Sequence, residues 1–450
     1  MAIKIVNDSN LKMHTRYTTE QGTGMVPLLK PINFLGPKPT GTKIDVPVEV
    51  ADLAVHNATK IFNVTGTGLD GEGSVLAVLD TGIYAEHPDF GARVILSMNY
   101  KGEKLPTSDI HDLHGHGTHV AGLAAAGRSK ALAKFSGIAP KAKIVSVKVT
   151  EGNEDTTTWK RIADGLDQVL NYNADAGTKP YNKVSCVLIC FNSFDNFNNA
   201  NEFDTTNNRL MKLFKICCES NIVVVVSSGN HFIDFADVSS RTITDGFGKK
   251  HKTPQVLEHT GLAFPAVSQH IICAGATAND DGIYYVSRSD LGDTVSFQKD
   301  DMAIFTQRIR KETNDTSNLS LFVAVPGLQM VSLDNRPIQH AVLPGQYPQG
   351  YTVMSGTSQA AGVLAGMVLL LQQKIRNKLH IHESCVPIQK IFTALKSTGE
   401  ERNFDGFGHT VQPPTSTTHA AIGGLTGAHS PFRNFRIFDL IKAINYIQNH

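Results

Sequence analysis

Ser358 stands in the stretch Ser355-Gly356-Thr357-Ser358-Gln359-Ala360-Ala361-Gly362, where a glycine-containing turn feeds a hydroxyl into a long apolar run. A serine there meets first-turn amides and the positive end of a helix dipole, both suited to a developing oxyanion. The position equally suits an N-cap serine that satisfies an orphan amide and does no chemistry. Asp80 follows the apolar run Val75-Leu76-Ala77-Val78-Leu79 and precedes Thr81-Gly82. That puts a carboxylate where open α/β sheets bind ligands, or a turn residue before a glycine. His116 lies in a stretch with four histidines in nine residues, His111 to His119. Imidazole is a common metal ligand, but no HExxH pattern or evident carboxylate ligand accompanies it, so no metal site is expected. Asn230 closes Ser227-Ser228-Gly229-Asn230 after a run of valines.

Together these types make a coherent chemistry. A serine hydroxyl is a poor nucleophile unless an imidazole takes its proton. The imidazole needs a carboxylate to fix its tautomer and to stabilise its cation. A neutral carboxamide can hold an oxyanion without a proton of its own.

The elements that must position these groups are legible as an alternation. Ala142–Val149, Val184–Cys190, Ile222–Val226, Ile271–Ala276 and Leu321–Val325 read as buried strands like 75–79. Between them, Trp159–Leu170 and Leu210–Cys218 have helical spacing, and the apolar run after Ser358 reads as a core helix too short to span a bilayer. Helices are also expected over about 46–62, over Pro387–Leu395 and over Phe438–Ile447. The repeated pattern predicts an α/β fold on a mostly parallel sheet. Two polar segments, 231–262 and 292–320, read as surface insertions, and 403–431 as loop.

In these blocks the chain resembles the subtilases, the subtilisin-like serine proteases of peptidase family S8. The matching residues are Val78–Ile83 with His87-Pro88-Asp89, His116–Gly122, Ser228-Gly229-Asn230, and Gly356-Thr357-Ser358 with Ala360. Their order, Asp then His then Ser, is subtilisin's. The resemblance covers roughly residues 46–450. It implies a three-layer fold with helices on both faces of the sheet, and an endopeptidase acting on protein or peptide. It makes Ser358 the nucleophile, His116 the base and then acid, Asp80 the orienting carboxylate and Asn230 the oxyanion donor. Gly152, Asn192, Ser193, Ser228 and Gly229 fall where relatives bind substrate.

The chain also departs from that pattern. After Ser358, Ala361-Gly362-Val363 stands where a proline is usual, and Phe191-Asn192-Ser193 replaces the segment that lines the primary specificity pocket. Asp89 matches a calcium-ligating position, but Gly127-Arg128-Ser129-Lys130 replaces the loop that completes it, leaving that site incomplete. The acids of Glu151-Gly152-Asn153-Glu154-Asp155 suit either basic substrate residues or a solvated turn.

With 42 basic and 41 acidic side chains the net charge is +1, which argues against nucleic acid and anionic membrane as partners. The first residues lack the apolar core of a signal peptide, so the expectation is a cytoplasmic protein, secreted only if a leader has been removed. Six cysteines form no CxxC pair and read as buried free thiols. Residues 1–45, with Met25-Val26-Pro27-Leu28-Leu29-Lys30-Pro31, read as an extended arm that could lie in the cleft and inhibit. Oligomeric state is not legible. Two rival readings use the same residues. An aspartic protease would use Asp80-Thr81-Gly82, but needs a second such triplet that the chain lacks. A catalytically silent subtilase fold would bind or regulate.

Overall fold

A computed structural model describes residues 25–27, 67–102, 110–127, 135–193, 196–197, 208–234, 240–244, 250–254, 257–258, 261–278, 282–285, 294–297, 300–303, 305–308, 320–328, 330–335, 350–404, 410–411 and 435–450. The helix expected over 46–62 lies outside them. In chain order the strands that matter are β1 (Met25–Pro27), β2 (Val75–Asp80), β3 (Val94–Asn99), β4 (Lys143–Lys148), β5 (Thr156–Thr158), β6 (Cys186–Ile189) and β7 (Val223–Ser227). They continue as β8 (Ile272–Thr277), β9 (Leu321–Pro326), β10 (Met330–Leu333), β11 (Tyr351–Met354), β12 (Glu400–Phe404), β13 (Thr410–Val411) and β14 (Phe435–Ile437). The helices are α1 (His116–Ala125), α2 (Trp159–Ala174), α3 (Arg209–Glu219), α4 (Thr357–Leu379), α5 (Ile388–Thr398) and α6 (Leu440–Asn449).

Ten strands form one sheet in the order β13-β12-β14-β9-β8-β7-β6-β2-β4-β3. The seven from β9 to β3 are parallel, β14 adds a short parallel strand, β12 runs antiparallel to β14, and β13 antiparallel to β12. The apolar strands are continuous because both faces are covered. Period-two alternation sends Leu76 and Val78 to the core beneath α1 and α4. Val75, Ala77 and Leu79 face the core beneath α2 and α3. From β2 the next strands run to one side and β6 to the other, so the strand order reverses at the strand that ends in Asp80.

Helix α4 is buried from Thr357 through Gln373, which explains its apolar run. The missing proline after Ser358 does not disturb it, because the glycines serve close packing instead. A Cβ on Gly362 would lie 2.7 Å from Val120 O, and one on Gly366 would lie 2.8 Å from Ala124 O. Helices α1 and α4 therefore run in parallel with matched four-residue steps. One turn earlier on each, the same four-residue step leads to His116 and Ser358, in the first turns of the two helices.

Four stretches read as insertion, loop or arm carry structure that the sequence did not show. Residues 301–303 and 305–308, within the segment expected as a surface insertion, are buried. Thr306 Oγ1 bonds both Ala276 N and Ala276 O, and the Arg308 guanidinium lies 4.0 Å from the centre of the Phe232 ring, so polar composition here does not mark surface. The 231–262 segment contains a hairpin, Ser240–Thr244 with Lys250–Pro254, and part of 403–431 extends the sheet through β12 and β13. The arm, expected as unpacked, pairs antiparallel with β5 through β1, with Met25 beside Thr158 and Pro27 beside Thr156. All six cysteines are free, and Cys186, Cys190, Cys217 and Cys273 are buried. Among the described residues no helix is long and apolar enough to cross a membrane.

Candidate active site

Asp80 ends β2 with its carboxylate buried. Its Oδ1 accepts from Thr81 N at 2.8 Å and lies 2.9 Å from His116 Nδ1, while Oδ2 has no partner. His116 opens α1, and its Nδ1–H donates to Asp80. That fixes the tautomer that leaves Nε2 free to accept a proton. Nε2 has no partner, and neither has Ser358 Oγ. Hydroxyl and imidazole thus share no hydrogen bond.

Asn230 is aimed by its own acceptor. Its Oδ1 takes Thr357 N at 2.9 Å and Thr357 Oγ1 at 2.8 Å, so Nδ2 is the free end. That amide is buried without a partner, and a Cβ on Gly356 would come within 3.1 Å of it. Ser358 N belongs to the first turn of α4, where main-chain amides lack intrahelical acceptors. Both donors lie within 4 Å of one point, the place that a Cβ on Gly356 would take.

Three positioning residues escaped sequence reading. Asp112 Oδ1 accepts from Thr81 Oγ1, His114 N and Gly115 N, and its Oδ2 accepts from Thr118 N and Oγ1, which holds the start of α1 against the end of β2. The available signal was an acid placed just before a helix start. Thr357 bridges Asn230 and Gly229, whose N donates to Thr357 Oγ1 at 3.2 Å. Lys148, fully buried, donates from Nζ to His111 O and Gly152 O, both at 2.7 Å, and so ties two loops beside the site.

The other expected residues divide. Gly152 sits exposed at a loop tip with φ +51°. Asn192 is spent on a brace: Nδ2 donates to Ser227 O at 2.7 Å, and Ser227 Oγ donates to its Oδ1 at 2.5 Å. Ser193 Oγ accepts from Phe264 N, while Ser228 Oγ is buried without a partner. The Cys190 thiol reaches Ser358 O at 3.8 Å, and burial with the charge of Asp80 holds its pKa well above the usual thiol range.

His119 is a core residue, with Nε2 3.1 Å from Met330 O, and burial lowers its pKa to about 3. The unfolded chain binds that proton near pH 6.5, so stability is full above that pH and falls as the pH drops toward 3, by about 1.4 kcal/mol per unit. Burial also lowers His87 and His114, adding in the same sense. Urea unfolding at pH 7 and pH 5 should show this loss, and His119→Gln should reduce it.

Among the described residues no group of three or more His, Cys, Asp or Glu is placed for a metal. Asp89, which matches a calcium-ligating position, has its carboxylate bonded within the protein. Asp89 Oδ2 accepts from the Tyr351 hydroxyl at 2.6 Å. The nearby carbonyls are taken by Arg93, which donates to Asp89 O at 2.5 Å, to Ala142 O at 3.2 Å and to Ala125 O. A guanidinium, its pKa lowered by burial to about 10, stands among the oxygens that a hard cation would need.

The subtilase family model matches residues 71–408. This chain belongs to the subtilase family. Serine protease AprX of Bacillus subtilis is 28% identical over 334 residues, which are 73% of this chain and 62% of that protein. Thermitase of Thermoactinomyces vulgaris is 35% identical over 111 residues, 24% of this chain and 36% of thermitase. The crystal structure of fervidolysin from Fervidobacterium pennivorans matches with a TM-score of 0.52 at 20% identity, covering 93% of this chain and 51% of that one, a likeness of fold. This subtilase chain thus spans less than two thirds of the length of these relatives.

Proposed function

We propose that this subtilase is a serine endopeptidase that hydrolyses peptide bonds through an acyl-enzyme. His116 Nε2 takes the Ser358 hydroxyl proton as Oγ bonds to the substrate carbonyl carbon. The carbonyl oxygen becomes an oxyanion between Ser358 N and Asn230 Nδ2. The imidazolium, held by Asp80, then protonates the leaving amine, the C–N bond breaks, and water repeats the sequence to release the acid. The observation that carries this reading is the presence of four buried polar atoms without partners, Asp80 Oδ2, His116 Nε2, Asn230 Nδ2 and Ser358 Oγ, at the end of β2, after β7 and at the starts of α1 and α4. Native proteins rarely leave buried polar groups unpaired without a functional reason.

The test is a peptide-library digest with the wild type and Asn230→Ala in parallel. The variant should lose roughly 10²–10³ in kcat, a magnitude measured on subtilisin itself, with KM little changed. Equal rates, or no cleavage by either protein, would contradict the reading.

We further propose that residues 1–45 restrain this site. Antiparallel pairing sets Pro27 beside Thr156, next to Asp155, whose charge reaches His114, and the His114 ring stacks edge-on near His116 at 6.4 Å. The reactive groups are shut from solvent, with Asp80 and His116 at 0% and Ser358 at 1% exposure. Activity should rise as mass spectrometry shows the arm being removed. Full activity of the intact chain, with no shortening, would end that proposal.

A further inference from the structure

Gln307 belongs to none of the chemistry above, yet it is fully buried and both of its carboxamide atoms lack a partner. Its backbone is clamped: Gln307 N donates to Gly229 O at 3.0 Å, Phe232 N to Phe305 O at 3.1 Å, and Gly261 N to Arg308 O at 2.8 Å. The side chain is therefore held in place. A Cβ on Gly229 would lie 1.7 Å from Gln307 Oε1 and 3.0 Å from Ala263 Cβ, so the carboxamide occupies the space against the bare face of Gly229.

That space adjoins the reaction. Gly229 directly precedes the oxyanion donor Asn230, so Ser228 and Gly229 are the backbone next to a carbonyl held by that donor. The surroundings are closed. Asn192 braces Ser227 across the ends of β6 and β7, Ser193 N donates to Phe264 O at 2.8 Å, and Ala263 N donates to Ser228 O at 3.2 Å. Within this ring, the Ser228 hydroxyl and the Gln307 amide are polar groups still owed hydrogen bonds. A substrate group that supplies them gains what the protein lacks, an apolar group leaves them unpaired, and a charged group must shed water against neutral partners.

We propose that Gln307 is a specificity-determining residue. Its carboxamide closes the pocket for the residue on the acyl side of the cut and selects a small hydrogen-bonding side chain, serine or asparagine, over apolar or charged ones. This rests on the peptidase reading above. The discrimination available from such pairing is large where a site is built to hydrogen-bond its substrate and small where only bulk differs.

The test uses the full chain and fluorogenic peptides that differ only at that residue: Ser, Ala, Asn, Leu, Phe, Lys and Glu. The ratio of kcat/KM between two peptides in one preparation cancels the amount of folded enzyme, so it does not respond to a merely structural role. Wild type should favour Ser over Ala, and Asn over Leu, each by about tenfold or more. Gln307→Met keeps the volume and removes the hydrogen bonding, and should bring both ratios close to one. Gln307→Ala should in addition raise cleavage after Leu and Phe. Wild-type ratios near one, or ratios that Gln307→Met leaves unchanged, would overturn the proposal. No cleavage of any peptide, with no fluorophosphonate label on Ser358, would overturn the peptidase reading and this proposal with it.

Discussion

Ser358→Ala is expected to abolish peptide hydrolysis, with a loss on the order of 10⁶ in kcat, the size measured for the nucleophile of subtilisin itself. The fold should survive. Ser358 lies in the first turn of a helix buried through Gln373, its hydroxyl makes no hydrogen bond, and alanine is a strong helix former. Removing an unpaired buried hydroxyl leaves no orphaned partner behind, so thermal unfolding should be nearly unchanged while activity disappears. That combination separates the readings. An aspartic mechanism through Asp80 would keep its rate in the variant, and a silent binding module would have no rate to lose.

Asp80→Asn should lower kcat on the order of 10⁴, the loss seen in a serine-protease triad when this carboxylate becomes an amide. The geometry explains why so small a change costs so much. Asp80 Oδ1 accepts two N–H groups, from Thr81 at 2.8 Å and from His116 at 2.9 Å. An amide oxygen in that place removes the charge that stabilises the imidazolium, and an amide nitrogen in that place turns the ring to the wrong tautomer. Either outcome slows the step in which His116 carries the proton. The effect should appear in kcat, with KM changed little, because Asp80 is buried behind the histidine. Fluorophosphonate labelling should slow in the same variant, since it needs the same activated hydroxyl. A variant within tenfold of wild type would show that Asp80 does not orient His116.

Much of this site could be read from the sequence because each reactive residue sits where a strand or helix ends at a glycine. Asp80 before Gly82, Asn230 after Gly229 and Ser358 after Gly356 all stand at such breaks. The sheet was legible for a related reason: strands covered on both faces need continuous apolar runs, and Val223–Ser227 or Cys186–Ile189 tolerate little else. What escaped was set by contacts distant in sequence. Asp112 looks like one acid in a histidine-rich loop until five donors converge on it. Thr357 is one small residue in a motif until its hydroxyl is seen to fix which end of Asn230 is free. Thr306 and Arg308 have surface composition and interior positions, because Ala276 and the Phe232 ring offer partners that no local pattern shows. The pairing of β1 with β5 joins residues more than a hundred positions apart, beyond the reach of local periodicity.

The most direct measurement of the central claim is the site of a fluorophosphonate adduct, mapped by peptide mass spectrometry on the full chain before and after loss of the arm. The account expects one adduct, on Ser358, that is absent in Ser358→Ala and much slower to form in Asp80→Asn. An adduct on another residue, or none on Ser358 in the shortened chain, would contradict it.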